Sequence, residues 1–246
     1  MPAKNRNKTF YEDGFYHVYN RGVEKRKIFI DKQDHVVFLS LLKKYLTPKP
    51  VVGDALAGNH RGPTPKGSDL VKILRPYESL HDEVNLLTFC LMPNHFHLLL
   101  QQKKIDSMTK LLRRVCTSYS GYFNKKYDRV GTLFQSIYKA IDIDNENYLL
   151  HLSRYIHLNP LELAADAEVG PLQRSDLLRN YEWSSYPEYI DVRKTEWLKT
   201  ELILSYFKSE KAKDVSIKDF NSYQSFVEDQ SLEDQSKVLT PELTFD

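Results

Sequence analysis

Apolar positions recur along the chain with two periods. In "GFYHVYNR", Gly14 to Arg21, Phe15, His17 and Tyr19 alternate with Tyr16, Val18 and Asn20, which predicts a strand of mixed faces. In "DKQDHVVFLSLLKKYL" the spacing of Val36, Phe38, Leu39, Leu42 and Leu46 is near-helical, with Asp31 as the cap. Two apolar runs, "EVNLLTFCLM" and "HFHLLLQ", are separated by Pro93 and Asn94 and predict adjacent strands that turn there. A long helix is expected from about Ser107 to Lys126, then a turn at "YDRVG" and an extended "TLFQSIYKAI". Asp144 then caps a helix that Pro160 stops. The order is strand, helix, strand, strand, helix, strand, helix, an α+β chain.

Two regions depart from this rhythm. Residues 47–75 are rich in Pro and Gly and predict a long surface loop, with His60 exposed in it. Beyond Pro160 the chain turns mainly helical: "YEWSSYPEY" is an aromatic patch, "WLKTELILSYF" and "VSIKDFNSYQSFV" read as helices, and the last ten or so residues as a frayed end.

Composition narrows the class. With 41% hydrophobic, 12% aromatic and 28% charged residues the chain is expected to be globular. No apolar run approaches the roughly 18 residues of a membrane span, and the start lacks an apolar signal core, so no membrane association and a cytoplasmic location are expected. Cys90 and Cys116 make no disulfide framework and no thiolate cluster, and read as small buried hydrophobes. The net charge of +2 hides an uneven distribution. Between Lys103 and Lys139 nine Lys or Arg face two acids, interleaved with Tyr119, Tyr122, Phe123, Tyr127 and Phe134, whereas residues 226–246 hold six acids and one lysine. The basic block suits a solvated helix face, and it also suits a polyanion with stackable bases.

The chemistry centres on "CLMPNHFHLLLQ". On a strand His95 and His97 share one face, about 7 Å apart, while Phe96, Leu98 and Leu100 share the other. From that spacing both imidazoles reach one divalent ion. The pair also suits polar residues on a solvated sheet face, and two ligands do not make a site. On the later helix Tyr155 and Asn159 are four apart and share a face. Laid over the histidines, that helix presents the Asn159 amide oxygen as a third ligand and the Tyr155 phenol as a nucleophile. A phenol is a weak nucleophile at neutral pH, and a cation that polarises a scissile phosphate compensates for this.

"MPNHFHLLL" at 92–100 resembles the His-hydrophobe-His motif of the single-tyrosine HUH transposases. "HVYNRG" at 17–22, "YFNKKYDRVGTLFQ" at 122–135, "YIHLNP" at 155–160 and "WSSY" at 183–186 resemble more closely the branch associated with repetitive extragenic palindromes. The resemblance implies a ferredoxin-like antiparallel sheet with helices on one face, followed by a mainly helical C-terminal region. It implies a homodimer that cleaves single-stranded DNA beside small hairpins with Mg2+ or Mn2+, leaving a 5′-phosphotyrosine and a 3′ hydroxyl. On that basis His95, His97 and Asn159 match the metal-binding positions and Tyr155 the nucleophile. The catalytic domain is then expected over 1–165 and a C-terminal extension, hairpin-binding or packed on that domain, over 166–246.

Other residues have assigned expectations. Tyr148 is expected to pack. His151, one turn before Tyr155, is an auxiliary candidate for orienting a phosphate or the phenol, and His157 is expected to be structural or exposed. His17 is expected to border the site or to pack. Arg21, Arg113, Arg114, Lys125, Lys126 and Arg129 are candidate phosphate contacts, with Lys25, Arg26 and Lys27 as a second basic edge. The main alternative is a non-cleaving hairpin DNA or RNA binding module with a regulatory function. RNA processing shares the same charges, and a metal hydrolase unrelated to nucleic acid leaves the basic aromatic block unexplained.

Overall fold

The computed structural model describes residues 10–49, 77–164, 170–208, 217 and 219–229. Four strands form where the alternating pattern lies: β1 (Gly14–Arg21), β2 (Val84–Met92), β3 (His95–Gln102) and β4 (Lys139–Ile143). They make one sheet of order β2-β3-β1-β4 in which every pairing is antiparallel. With helix α1 (Lys32–Leu46) after β1 and helix α2 (Ser107–Lys126) after β3, this is the ferredoxin-like arrangement.

Strand alternation sorts the two sheet faces. Phe96 of β3 points to the face covered by α1 and α2, where its ring lies 5.1 Å from Phe38, itself 5.1 Å from Tyr119. The other face carries His17, His95 and His97, and helix α3 (Glu146–Leu158) lies across it. The core therefore sits mainly between the sheet and the α1–α2 layer, and a partly polar layer lies under α3.

Local chemistry explains most element ends. Asp31 caps α1 in a reciprocal box with Asp34. Val36, expected on the buried stripe, is 44% exposed, because at about 100° per residue it lies nearly opposite Phe38. His35 and Tyr45 are buried with Phe38, Leu42 and Leu46 in its place. Asn145, not Asp144, caps α3: its side chain accepts from the Tyr148 N–H at 2.7 Å, the position a cap must reach, while Asp144 accepts from the Asn145 amide. The extended reading of "TLFQSIYKAI" holds as strand only from Lys139, since Asn20 Nδ2 takes the carbonyls of Ser136 and Ile137 just before it.

The C-terminal region contains α4 (Pro171–Asn180), α5 (Tyr186–Tyr189), α6 (Glu201–Lys208) and α7 (Tyr223–Glu228). It also closes the outer edge of β2. Leu91 N–H donates to the Trp183 carbonyl, Ser185 N–H to Phe89 and Lys199 N–H to Leu86, at 2.8–2.9 Å. Backbone groups of an otherwise open edge strand are satisfied this way. Trp183 stacks on His35 and Trp197 on Phe89, so the aromatic patch is packing. Cys90 is buried and Cys116 half-buried. Residues 50–75 of the expected loop, with His60, and the chain end beyond 229 lie outside the described residues. Among the described residues no helix is long and apolar enough to cross a membrane.

Candidate active site on the sheet face

The site begins with strand register. Tyr19 of β1 pairs with His97 of β3 and Arg21 with His95, which puts these side chains and His17 on one face. The His95 and His97 rings lie 5.0 Å apart, edge to face. His17 Nε2 is 2.8 Å from His97 Nδ1, and the two rings stack at 5.0 Å. Sequence reasoning left His17 between bordering the site and packing, and the structure puts it in contact with His97.

Helix α3 is laid over this face by its own periodicity. The Tyr155 ring stands 5.7 Å from His97 and 6.5 Å from His17, edge-on to both. One turn on, Asn159 Nδ2 donates to the Tyr155 carbonyl at 2.9 Å, which turns Asn159 Oδ1 toward His95 Nε2 at 3.4 Å. Asn159 is only 3% exposed, so its amide is held within the protein.

Asn94 decides which nitrogen of His95 carries the proton. Its Nδ2 donates to the Lys25 carbonyl, so its Oδ1 faces His95 Nδ1 at 2.6 Å and needs a donor there. His95 is therefore the Nδ1–H tautomer, and its Nε2 lone pair faces another acceptor, Asn159 Oδ1. These two atoms are the ones that could hold a cation between them, and a metal-bound histidine ordinarily donates its other N–H to an oxygen acceptor. Asn94 was missed in the sequence; its position between the turn proline and the first histidine was the available signal. Its turn is clamped by the loop after β1, where Gly22 N–H donates to the Asn94 carbonyl and Ile28 and Phe29 donate to Pro93. A side chain at Gly22 would collide with the Arg26 carbonyl.

Burial keeps the histidines neutral. It lowers the pKa of His17 to about 3, lowers His95 to about 4 against the opposing contact with Asn159 and with Arg21 adding to the shift, and carries His97 well below its ordinary value. Neutral imidazoles are the metal-binding form. Burial and the nearby Glu162 carboxylate push the Tyr155 phenol up, so it is protonated at neutral pH. Among the described residues no group of three His, Cys, Asp or Glu is placed to hold a metal ion.

Residues 68–159 match the family described as Transposase IS200 like. That match spans 92 of the 246 residues. No curated protein matches the chain. Two solved structures are similar to this chain at 13% identity. One is a REP-associated tyrosine transposase bound to a REP hairpin, covering 80% of this chain and 98% of that one at a TM-score of 0.48. The other is a Deinococcus radiodurans R1 protein assigned as a transposase, covering 61% and 95% at 0.31. The segment matched to the family holds His95, His97, Tyr155 and Asn159, while His17 and Arg21 lie before it and all of the C-terminal region after it.

The remaining residues nominated from the sequence divide. Arg21, opposite His95, brings positive charge to the site. Arg113 and Lys125 are exposed on α2. Arg114 binds Glu78, Arg129 binds Asn124, and Lys126 is taken up by Asp31 and the buried Asp34, with Tyr122 and Tyr127 beside it. Of the second basic edge, Lys25 and Lys27 are exposed and Arg26 binds Glu24. Tyr148 is half-buried against the core. The His151 ring lies on Phe226 of α7, 5.3 Å away, and His157 is buried between Tyr223 and Ser185.

Proposed function

We propose that the protein is a metal-dependent endonuclease and strand transferase for single-stranded DNA, acting at hairpin-associated sites through Tyr155. One observation carries this reading: a single helix brings a phenol to the histidine face and, one turn later, turns an amide oxygen onto a histidine lone pair. His95, His97 and Asn159 are the residues that would hold Mg2+ or Mn2+. Such an ion would polarise the scissile phosphate and offset charge developing on its oxygens.

The chain's own residues supply the rest. Tyr155 Oη forms a bond to phosphorus and gives up its proton, and the bond from phosphorus to the 3′ oxygen breaks. That oxygen leaves and is protonated to a 3′ hydroxyl, while the 5′ phosphate stays on the tyrosine. The covalent link preserves the bond energy needed to rejoin or transfer the strand. Arg21 contributes charge at the site, and the exposed Arg113 and Lys125 serve as phosphate contacts along the strand. A homodimer completes the reading, on the strength of the motif resemblance.

End-labelled hairpin DNA incubated with the full chain and Mn2+ is expected to give an adduct that survives a denaturing gel, and Tyr155→Phe to give none. An adduct persisting in Tyr155→Phe refutes the assigned nucleophile. Hairpins that bind without ever forming an adduct favour the non-cleaving binding module.

A further inference from the structure

The "WSSY" motif plays no part in the chemistry above, yet its second serine is buried and bonded to the "YIHLNP" histidine. Five hydrogen bonds run through this point. Phe89 N–H of β2 donates to Ser185 Oγ at 2.9 Å, and Ser185 Oγ lies 2.7 Å from His157 Nε2. His157 Nδ1 lies 2.8 Å from Tyr223 Oη. Tyr223 Oη–H donates to Ser153 Oγ at 3.0 Å, and Ser153 Oγ–H donates to the Leu150 carbonyl at 2.7 Å.

The Leu150 end, together with the neutral state that burial imposes on His157, fixes the direction of the whole chain. A backbone N–H only donates and a carbonyl only accepts, so each group between them has one consistent proton position. Tyr223 has given its proton to Ser153, so it accepts from His157 Nδ1–H. His157 Nε2 is then a lone pair, and the Ser185 hydroxyl turns to it rather than to the Phe89 carbonyl at 3.2 Å. The result is a saturated, directional chain through four side chains around a His157 that burial keeps neutral. It ties strand β2, the C-terminal region and helix α3 together, and Arg154 adds two bonds to the carbonyls of Phe226 and Asp229.

Its placement on α3 gives it a functional meaning. Ser153 and His157 are four apart and share a helix face. Tyr155 and Asn159 share the face roughly 200° away, because each is two residues on at about 100° per residue. A helix held by directional bonds on one side has its rotation fixed for the other.

We propose that His157 is a positioning residue, and that the C-terminal Ser185 and Tyr223, acting through it, set the rotation of α3 that places Tyr155 and Asn159 against His95 and His97. The active site is then incomplete without the C-terminal region, although the family match ends at residue 159. The kinetic half of the test rests on the function proposed above; the geometric half does not.

Full-length Tyr223→Phe and Ser185→Ala remove one hydroxyl each from the chain. Tyr189→Phe is the control: it removes a buried hydroxyl bonded to the Leu87 carbonyl of β2, outside the chain. Crystal structures of all three are compared with wild type. The His95 Nε2 to Asn159 Oδ1 separation, 3.4 Å here, lengthens in the first two and not in the control. Per folded molecule at saturating hairpin DNA, adduct formation falls about 10- to 100-fold in the first two with DNA affinity retained, the scale on which small misplacements act. A purely structural role would lower stability in all three and leave that rate alone. An unchanged separation in both chain variants overturns the proposal whatever wild type does to DNA, and a lengthened separation with an unchanged rate overturns it too. A wild-type protein that forms no adduct counts against the function reading, and the separations still decide this one. If Ser185→Ala does not fold, Tyr223→Phe, which keeps the ring, carries the test.

Discussion

Two buried histidine clusters lie on opposite sides of α3, and they are built differently. Around His157 every donor meets an acceptor in one closed sequence from Phe89 to Leu150. Around His95 two acceptors are turned toward each other by bonds behind them, Asn94 holding the imidazole and the Tyr155 carbonyl holding the Asn159 amide. Both clusters are neutral for the same reason, burial, so charge state does not distinguish them. The direction of the hydrogen bonds does. The saturated cluster fixes structure, and the other is the one proposed to hold a cation.

The largest expected difference between them is in metal binding. His95→Ala and His97→Ala should each lower Mn2+ affinity by at least about 10- to 100-fold in calorimetry, the loss known even for outer support of a metal site. Both variants should still fold; full-strength Mn2+ binding in either would remove the distinction.

Stability should show the opposite asymmetry. Tyr223→Phe leaves His157 Nδ1–H without its acceptor, and Ser185→Ala leaves Nε2 without its donor. Each is expected to lower the unfolding free energy by about 1–3 kcal/mol in urea titrations. A change within error would mean that water or rearrangement replaces the lost bond and that the chain is not rigid.

Acid should expose both clusters together. His17 and His157 have pKa values near 3 in the folded protein against an ordinary value of 6.5. Below 6.5 the unfolded chain takes up protons that the folded one refuses, so stability is full above that pH and declines toward 3. The thermal midpoint should fall steadily from pH 6.5 downward, and a flat profile to pH 4 would show that these imidazoles are not excluded from solvent.

The smallest effects belong to the basic surface. Arg113→Ala and Lys125→Ala should each weaken hairpin binding and reduce the salt slope by about one. Lys126→Ala should act on folding instead, because its ammonium is bonded to Asp31 and the buried Asp34. A loss of DNA affinity confined to Lys126→Ala would reverse that division.

Much of this was legible in the sequence because the strands alternate cleanly and the motifs stand at natural element ends. The order of elements along the chain, the α1 cap at Asp31, the turn at Pro93 and Asn94, and the shared face of His95 and His97 follow from local residue types and spacing, whereas the sheet arrangement was implied only by the motif resemblance. Less legible was what the motifs do for one another. "YNRG" and "GTLFQ" meet through Val23 N–H to the Leu133 carbonyl and Gln135 N–H to Arg21, and the loop after "YNRG" clamps the "PN" turn. Such contacts join residues far apart in sequence, and no local period reports them. The same applies to Lys126: a cation in a basic run looks like a DNA contact until the fold brings Asp34 to it. Val36 was misplaced by counting apolar residues without their angle on the helix.

The most direct test of the central contrast is the anomalous diffraction of crystals soaked in Mn2+. The account predicts a peak bounded by His95 Nε2, His97 Nε2 and Asn159 Oδ1, and none beside His157. No peak at the first position, or an Asn159 amide turned with its nitrogen toward His95, would contradict it.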